Sequence, residues 1–531
     1  MVNKPVTACL LAIATLLAFF AYLTTTAPTI TWYHYGIDTG EWATAAAQWT
    51  IPHPSGYPLY LLLGRLFAEL PFGSLAHRLN LMSAVFGALT VGMVAWTVYA
   101  GLRRLEVQAW VRPLGAMIGA GLLAFSPVFW SQAVLAEVYT LHCFGIATLM
   151  RLLVTWESEP RCRWLLVFLG LAFGLAMDNH TTTFLFAPAI ALFLAQDYLA
   201  DGRLDVRRAL KEGSLVVVVA TLALAPYLLL LVRGAQGAYP TLWDTSTPSA
   251  LIDHFSGGAF RGLLFIFPFE TVLSRLSAVP KLLLQQFTPV GIAAIAAGVW
   301  ALLQYDVRFF RFVIIAAALN IFFAINYPVF DSELYLLPIY MLAAPLAGWG
   351  VIAGLQAAVA YAAGSIRRPA RWLPAILIGL FLGAVSSQYL LYRPTIDVSQ
   401  DHFAYQFIKS ILDELPPDTV LISGSPEEVL GLWYLQYGEN YRQDVLVIDA
   451  FWSYMGSYRR NLSRQFDGQV PPPDTPSNYL RGVVQRNMGV HPVLATSRAT
   501  SWLDDENISY TDLGTGILEI HPLTLSTNLP R

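Results

Sequence analysis

Residues 33–80 read YHYGIDTGEWATAAAQWTIPHPSGYPLYLLLGRLFAELPFGSLAHRLN. This stretch follows a first apolar run, and it places the carboxylates Asp38 and Glu41 close to His34 and His53 and to a proline-rich turn. A loop that only connects two helices has no need of such a set of side chains. We therefore take the stretch as the candidate active site.

The composition is that of a polytopic membrane protein. Of the 531 residues, 56% are hydrophobic and 13% are charged, which gives more apolar surface than a soluble core can bury. Windows of about 20 apolar residues predict about eleven transmembrane helices. They lie near 5–27, 80–102, 113–133, 138–155, 164–178, 182–200, 214–232, 286–304, 312–329, 335–357 and 372–392.

Arginine and lysine collect on alternate loops, and the positive-inside rule assigns these loops to the cytoplasm. We expect a cytoplasmic N-terminus that acts as a retained signal anchor, and an odd number of spans then leaves the C-terminus outside. The bacterial cell membrane is expected rather than the endoplasmic reticulum. The basic residues are Arg103, Arg104, Arg112, Arg161, Arg163, Arg203, Arg207, Arg208, Lys211, Arg308, Arg311, Arg367, Arg368 and Arg371.

The opposite loops carry acidic and imidazole side chains, which indicates a composite site on one face of the membrane. Acidic residues are also simply tolerated outside, so the clustering alone does not decide the matter. The residues are Asp38, Glu41, His53, Glu137, His142, Asp178, His180, Asp331 and Glu333.

Two domains are predicted. Residues 1–392 form the transmembrane domain, with outer loops at 28–79 and 233–285. The apolar run 263–273 is too short to span a membrane and is expected to be an interfacial or re-entrant helix. Residues 393–531 have the composition of a soluble extracytoplasmic domain, in which the β-rich runs 419–424 and 444–452 flank a helical stretch at 427–438. This alternation predicts a small α/β unit.

Asp38 and Glu41 have two interpretations. Their spacing is that of a capping box, with Asp38 as the N-cap of a helix, and a carboxylate that caps a helix is a weaker base. The nearby His34 and His53 favour catalytic use of at least one carboxylate. The turn at 51–58 has a nearly fixed backbone. It either positions His53 and Tyr57 or only connects two helices.

Further candidates for donor or acceptor binding lie at the ends of other spans, where each could also be an ordinary interfacial residue. The two arginines among them are candidate partners for Glu137 or ligands for phosphate. These candidates are Arg65, Arg78, Glu137, Tyr139, Asp178, His180, Asp331 and Glu333. No cofactor is required: the four outer carboxylates Asp38, Glu41, Asp331 and Glu333 could bind a divalent metal, but no spacing demands one.

Several chemistries are disfavoured by missing motifs. The sequence has no Walker loop, no dinucleotide fingerprint between a strand and a helix, no HExxH and no GxSxG. Their absence counts against an ATP-driven pump, a zinc protease and a serine hydrolase. The three cysteines, Cys9, Cys143 and Cys162, lie in or beside apolar spans and provide no disulfide framework.

Five motifs in order resemble glycosyltransferase family 117, a membrane family similar to protein O-mannosyltransferases. They are DTGE (38–41), IPHPSGYPLYLLLGRLF (51–67), FWSQAVLAEVYTL (129–141), GLAMDNHTT (174–182) and FDSELYLLP (330–338). The resemblance implies the GT-C fold and a polyprenyl-phosphate sugar as donor. It also implies a catalytic carboxylate in the first outer loop, here Asp38, with Glu41 as the second candidate.

We therefore predict an inverting glycosyltransferase. It would move a sugar such as mannose from a polyprenyl-phosphate donor to an extracytoplasmic acceptor, such as Ser or Thr of a protein, without any nucleic acid partner. One alternative is a transferase that modifies a glycan or a lipid. Another, from a different class, is a membrane transporter, which would place charges at the bilayer midplane in broken helices.

Overall fold

The fold is described from a computed structural model, which covers residues 4–105, 107–108, 111–159, 162–200, 203–364 and 372–522. The chain forms two compact units. The first unit contains the chain up to Thr26, Asn80–Pro226 and Phe260–Ser399. The second unit contains Ala27–Leu79, Tyr227–Ala259 and the chain from Gln400 onward.

The described residues are mostly helical. The α-helices are α1 (Lys4–Leu23), α2 (Thr39–Gln48), α3 (Pro58–Ala68), α4 (Leu75–Gly101), α5 (Arg112–Ala124), α6 (Pro127–Gln132), α7 (Tyr139–Ser158), α8 (Arg163–Asn179), α9 (Ala187–Ala195), α10 (Val206–Ala223), α11 (Tyr227–Ala235), α12 (Pro248–Phe255), α13 (Phe269–Tyr305), α14 (Val307–Asn326), α15 (Leu337–Gly364), α16 (Leu373–Ile396), α17 (Phe403–Glu414), α18 (Pro426–Trp433), α19 (Gly456–Gln465), α20 (Tyr479–Asn487) and α21 (Thr500–Asp505).

Within the described ranges, six helical segments are long and apolar enough to cross a membrane. The chain is therefore a multi-pass helical membrane protein, as its composition predicted. Shorter apolar helices lie at Ala8–Leu23, Pro58–Ala68 and Arg112–Ala124. The six segments are Leu75–Arg104, Val206–Ala235, Phe269–Tyr305, Val307–Asn326, Leu334–Ala363 and Leu373–Ile396.

Proline divides two of the predicted spans. The span predicted near 113–133 is two helices, α5 and α6, because Ser126 is extended (φ −68°, ψ 134°) before Pro127. A residue that precedes proline avoids the helical region for steric reasons. The span predicted near 214–232 is likewise interrupted between α10 and α11, next to Pro226.

The prediction of a separate interfacial helix over 263–273 is wrong. A 3₁₀ turn, Gly258–Leu263, ends at the start of this run, and Phe265 has a positive φ of 63° that breaks it. Helix α13 then begins at Phe269, directly after Pro268, and it is kinked at Thr288, whose φ is 62°. The second half of the run is therefore the first part of α13.

The centre of the first unit is α15, which packs closely on α13. The spanning window within Leu334–Ala363 is entirely buried. A Cβ atom on Gly350 would collide with the Ala294 carbonyl oxygen, and one on Gly298 would collide with that of Leu346. Glycine at these two positions therefore permits backbone-to-backbone packing, which is common between membrane helices.

The second unit contains a mixed five-stranded sheet, which confirms the predicted α/β composition of the C-terminal region. The hairpin β1 (Leu199–Ala200) and β2 (Arg203–Leu204) belongs to the first unit. The sheet has the strand order β4-β3-β5-β7-β6, in which β4, β3 and β5 are parallel and the last two pairings are antiparallel. Its strands are β3 (Val420–Ser423), β4 (Leu446–Asp449), β5 (Val493–Thr496), β6 (Tyr510–Asp512) and β7 (Ile517–Ile520).

The C-terminal α/β domain, residues 400–522, forms one compact unit with two earlier segments of the chain, 27–79 and 227–259. The sequence pattern places a boundary at 392/393, whereas the units divide after Ser399. Composition marks where apolar spans stop, but it carries no information about which loops pack on a later domain. The predicted domain limits, 1–392 and 393–531, therefore stay a prediction.

Candidate active site

The site begins where a 3₁₀ turn, Tyr33–Asp38, leads into α2. Asp38 occupies the N-cap position, but its side chain makes no capping hydrogen bond. The hydroxyl of Thr39 is 2.9 Å from the Gly36 carbonyl oxygen, which fixes the turn. The capping-box interpretation of Asp38 and Glu41 is therefore wrong, since Glu41 points to a different partner.

That partner is His53. The Glu41 carboxylate accepts the backbone N–H of His53 at 2.9 Å and its ring Nδ1 at 2.5 Å. An ionised carboxylate only accepts hydrogen bonds, so Nδ1 carries the proton. The Glu41 side chain is 10% exposed and that of His53 is 22% exposed. The pair is thus largely withdrawn from water, where a charge-assisted hydrogen bond is strong.

Aromatic rings hold His53 on its other sides. The buried Trp42 lies 4.9 Å from the His53 ring and 5.0 Å from the Tyr57 ring. The Tyr57 hydroxyl donates to the Pro54 carbonyl at 3.2 Å and lies 3.5 Å from His53 Nε2. The proline-rich turn thus fixes both rings. A role for either in binding stays a prediction.

Asp38, Glu41 and His53 form a group that we call the carboxylate cluster. Each offers one ligand atom, and these atoms lie within 4.8 Å of one another. Two carboxylate oxygens and an imidazole nitrogen suit a divalent transition metal. The cluster could therefore hold a metal ion, which is the question that the sequence left open.

Sequence reasoning missed His254, a lone histidine on α12 with no motif around it. Its ring is buried against the backbone of Gly56, where a Cβ would lie 3.0 Å from its Nε2. Burial and the charge of His53 lower the pKa of His254 to about 3, although the ring also bonds to the Pro52 backbone. His254 is therefore neutral at physiological pH and supports the turn that carries His53.

Arg65 and Arg78 contact the backbone of their own loop. Arg65 bonds to the Ala47 carbonyl at 2.5 Å and to the Glu69 carboxylate at 2.7 Å. Arg78 donates to the carbonyl of Leu70 at 2.8 Å and to that of Ala68. These contacts stabilise the loop, and a role in phosphate binding stays a prediction for both residues.

In the first unit, residues from three separate motifs meet in a second group, which we call the tyrosine–histidine cluster. The Tyr139 hydroxyl donates to Asp331 at 3.0 Å. The His180 ring stacks on His142 at 4.6 Å and lies 5.9 Å from Tyr335. Tyr139, His180 and Asp331 are among the donor- or acceptor-binding residues predicted from the sequence. His142 was predicted only as a member of the polar group on the outer loops, and Tyr335 was not singled out. Tyr335 lies inside one of the motifs, which is the signal that could have found it.

The remaining candidates of the first unit are close in sequence to members of this cluster. Glu137 is buried, and its backbone N–H and carbonyl both contact the Ser83 hydroxyl at 3.3 Å. Asp178 is also fully buried, near the end of α8. Glu333 is half-buried, directly before a 3₁₀ turn at Leu334–Leu336. Their roles in binding stay predictions.

Solved structures define the class of fold. The structure of ArnT from Cupriavidus metallidurans bound to undecaprenyl phosphate matches with a TM-score of 0.60 and 14% identity, over 97% of each chain. The oligosaccharyltransferase AglB from Archaeoglobus fulgidus, in complex with an inhibitory peptide and a dolichol-phosphate, matches with a TM-score of 0.55 and 12% identity. That match covers 99% of this chain and 75% of AglB. The fold is therefore that of the GT-C glycosyltransferases.

Sequence comparison is more specific. Residues 38–199 match the model of the protein O-mannosyl-transferase TMEM260 N-terminal domain. The mouse protein O-mannosyl-transferase TMEM260 is 27% identical over 475 residues, and the Dictyostelium discoideum protein is 26% identical over 515. The alignments cover 85% and 86% of this chain but only 64% and 60% of those relatives. These matches confirm the resemblance to protein O-mannosyltransferases that the motifs predicted.

Proposed function

We propose that this protein is an inverting glycosyltransferase that moves a sugar, such as mannose, from a polyprenyl-phosphate donor to a Ser or Thr hydroxyl of an extracytoplasmic protein. The observation that carries the proposal is the carboxylate cluster at the start of α2, in a chain with the GT-C fold. The ArnT and AglB structures contain polyprenyl phosphates, and the sequence relatives are named O-mannosyl-transferases.

Asp38 is the base in this proposal. Its carboxylate takes the proton of the acceptor hydroxyl while that oxygen attacks the anomeric carbon from the face opposite the lipid phosphate, which inverts the configuration. Glu41 is less suited to this task because it already accepts two hydrogen bonds from His53. Both Glu41 oxygens are therefore occupied, Oε1 by the backbone N–H and Oε2 by the ring. Glu41 instead fixes the His53 ring beside Asp38.

The leaving group is a phosphate, so no strong general acid is needed. Its growing charge does require donors or positive groups. His53, Arg65, Arg78 and His180 are the candidates for this role. The other proposed donor- or acceptor-binding residues are Tyr57, Glu137, Tyr139, Asp178, Asp331 and Glu333.

The finer membrane arrangement is part of the proposal. We infer about eleven spans: the six long segments supply six of them, and the shorter helices α1, α5, α7, α8 and α9 would supply the other five. The N-terminus would be cytoplasmic, and the C-terminal α/β domain extracytoplasmic, in a bacterial cell membrane. Of the basic residues that indicate this orientation, Arg161, Arg367, Arg368 and Arg371 lie outside the described residues, as does the side chain of Arg203.

The test is a transfer assay with the purified full chain in lipid nanodiscs. Polyprenyl-phosphate mannose is the donor, and a Ser/Thr peptide, an oligosaccharide and a lipid alcohol are offered as separate acceptors. The proposal predicts mannosylated peptide whose anomeric configuration, read by NMR, is opposite to that of the donor, and no product with Asp38→Asn. Transfer only to the oligosaccharide or the lipid would reject the protein acceptor. A product of retained configuration would reject the mechanism.

A further inference from the structure

Contacts within the second unit join the segment that carries Asp38 to the C-terminal α/β domain. Both parts belong to this one compact unit. Helix α18 follows β3 after a short connection, Gly424–Ser425, so the central strand of the parallel group fixes where α18 lies. The contacts of α18 with α2 therefore determine where α2 begins.

The closest of these contacts is at Gly40, two residues after Asp38. A Cβ atom there would lie 2.6 Å from the Leu430 carbonyl oxygen and 3.0 Å from its carbonyl carbon. Because these atoms are backbone, no side chain can move aside, and a larger residue must push α2 away from α18. At the other end of α2, the Gln48 amide donates to the Tyr437 carbonyl at 2.6 Å.

On the other side of Asp38, Trp32 contacts the same domain. Its ring meets Phe403 and Phe407 edge to face, at 5.9 and 5.5 Å. The Arg498 guanidinium lies 5.9 Å from the centre of the Trp32 ring, within the range of a cation–π contact. Arg498 is held in turn by Glu428, at 3.2 Å.

The residue before Trp32 adds a polar contact, since the Thr31 hydroxyl donates to the Asp401 carboxylate at 2.5 Å. Asp38 is therefore bracketed in sequence by two attachments to the α/β domain. Thr31 and Trp32 precede it, and Gly40 follows it. Asp38 lies on the 3₁₀ turn and helix start between these attachments, so their spacing limits how far its carboxylate can move.

We propose that the C-terminal α/β domain positions the catalytic base, with Gly40 and Trp32 as the positioning residues. This inference rests on the proposed function, in which Asp38 removes the acceptor proton. A base works only within hydrogen-bond reach of the proton that it takes, and a misplacement of about 1 Å can cost about 10²-fold in rate. The domain would therefore contribute to kcat without touching the substrate.

The test compares three glycine-to-alanine variants of the full chain in the same transfer assay. Gly40→Ala must shift α2 from α18. Gly482→Ala instead perturbs α20 of the same domain, where its Cβ would lie 2.5 Å from Pro471 Cγ. Gly213→Ala on α10 adds a methyl group where nothing lies within 4 Å. We expect kcat to fall by about 10- to 100-fold only in Gly40→Ala, with the donor KM unchanged.

Wild-type kcat in Gly40→Ala would overturn the proposal, and so would an equal loss in Gly482→Ala, because the effect would then be general destabilisation of the domain. If Gly40→Ala does not fold, Trp32→Ala and Trp32→Phe decide the matter. We expect Trp32→Ala to lose kcat and Trp32→Phe, which keeps an aromatic contact, to regain most of it. If both Trp32 variants keep the wild-type kcat, the proposal is overturned. The Asp38→Asn variant is measured in parallel, and activity in that variant would reject the proposed function instead.

Discussion

His53 donates two hydrogen bonds to the Glu41 carboxylate, one from its backbone N–H at 2.9 Å and one from Nδ1 at 2.5 Å. This relationship divides the roles of the two carboxylates in the loop. Glu41 fixes the imidazole, and we propose Asp38, at the first position before α2, as the base. The spacing in the sequence favoured the opposite division, because it predicted Asp38 as the helix cap and therefore as the weaker base.

The first prediction concerns the His53 ring. His53→Ala removes the ring donor from Glu41, whose side chain is only 10% exposed. Loss of a hydrogen bond to a buried charged group costs about 1–3 kcal/mol, so the thermal midpoint should fall. His53→Gln, which keeps an N–H donor, should recover part of the loss. Unfolding of both variants in detergent, followed by tryptophan fluorescence, checks this, and equal midpoints for wild type and His53→Ala would contradict it.

The second prediction concerns pH and His254. Burial and His53 hold its pKa at about 3, below the ordinary value of 6.5. Between these values the unfolded chain binds a proton that the folded chain does not, so stability falls as the pH drops through this window. His254→Asn should therefore lose less thermal stability between pH 7 and pH 5 than the wild type. The exposed His402→Asn is the control and should follow the wild-type curve.

The third prediction concerns Asp449, whose burial makes stability fall as the pH rises, the reverse of the effect of His254. Burial raises the pKa of Asp449 from 3.8 to about 7, against the effect of the Trp452 and Phe451 N–H groups, and the charges of Glu427 and Glu428 add to the rise. The folded chain then holds a proton that the unfolded chain releases, so stability falls as the pH rises from about 3.8 to about 7. Asp449→Asn should raise the thermal midpoint at pH 8, and the exposed Asp467→Asn should not. No gain in Asp449→Asn would show that this carboxyl is not strained by burial.

The fourth prediction addresses the tyrosine–histidine cluster. Tyr139→Phe removes only the hydroxyl that donates to Asp331 at 3.0 Å. If this cluster binds the donor or the acceptor, the KM for one of them should rise about tenfold, which corresponds to one lost hydrogen bond to a charged group. Tyr361→Phe, at a site that is 64% exposed, is the matched control. Unchanged kinetic constants in Tyr139→Phe would remove this cluster from the binding site.

Much of the helical fold could be predicted from apolar runs alone. The helix α16, Leu373–Ile396, lies close to the predicted span at 372–392. The apolar pattern predicted helix limits wrongly where a local backbone preference interrupts a continuous apolar run. Pro127 ends one helix and begins another, and Phe265, with its positive φ, stops the run that was expected to be an interfacial helix.

The site could be predicted from the sequence only where its residues are close together along the chain. Asp38, Glu41 and His53 lie in one short stretch, so their residue types and spacing are enough to indicate chemistry. The contact of Tyr139 with Asp331 joins residues that are 192 positions apart. His254 supports the turn of His53 from a segment with no motif. A single sequence contains no record of which distant segments meet, so such partners appear only in the fold.

The division of roles between the two carboxylates is tested most directly by single-turnover transfer of mannose from a polyprenyl-phosphate donor, with Asp38→Asn and Glu41→Gln compared with the wild type. Asp38→Asn should lower the rate by about 10²- to 10⁴-fold, the usual contribution of a general base. Glu41→Gln keeps an acceptor for His53 and should lose only about tenfold, which is about one charge-assisted hydrogen bond. A wild-type rate in Asp38→Asn, or a larger loss in Glu41→Gln, would contradict Asp38 as the base.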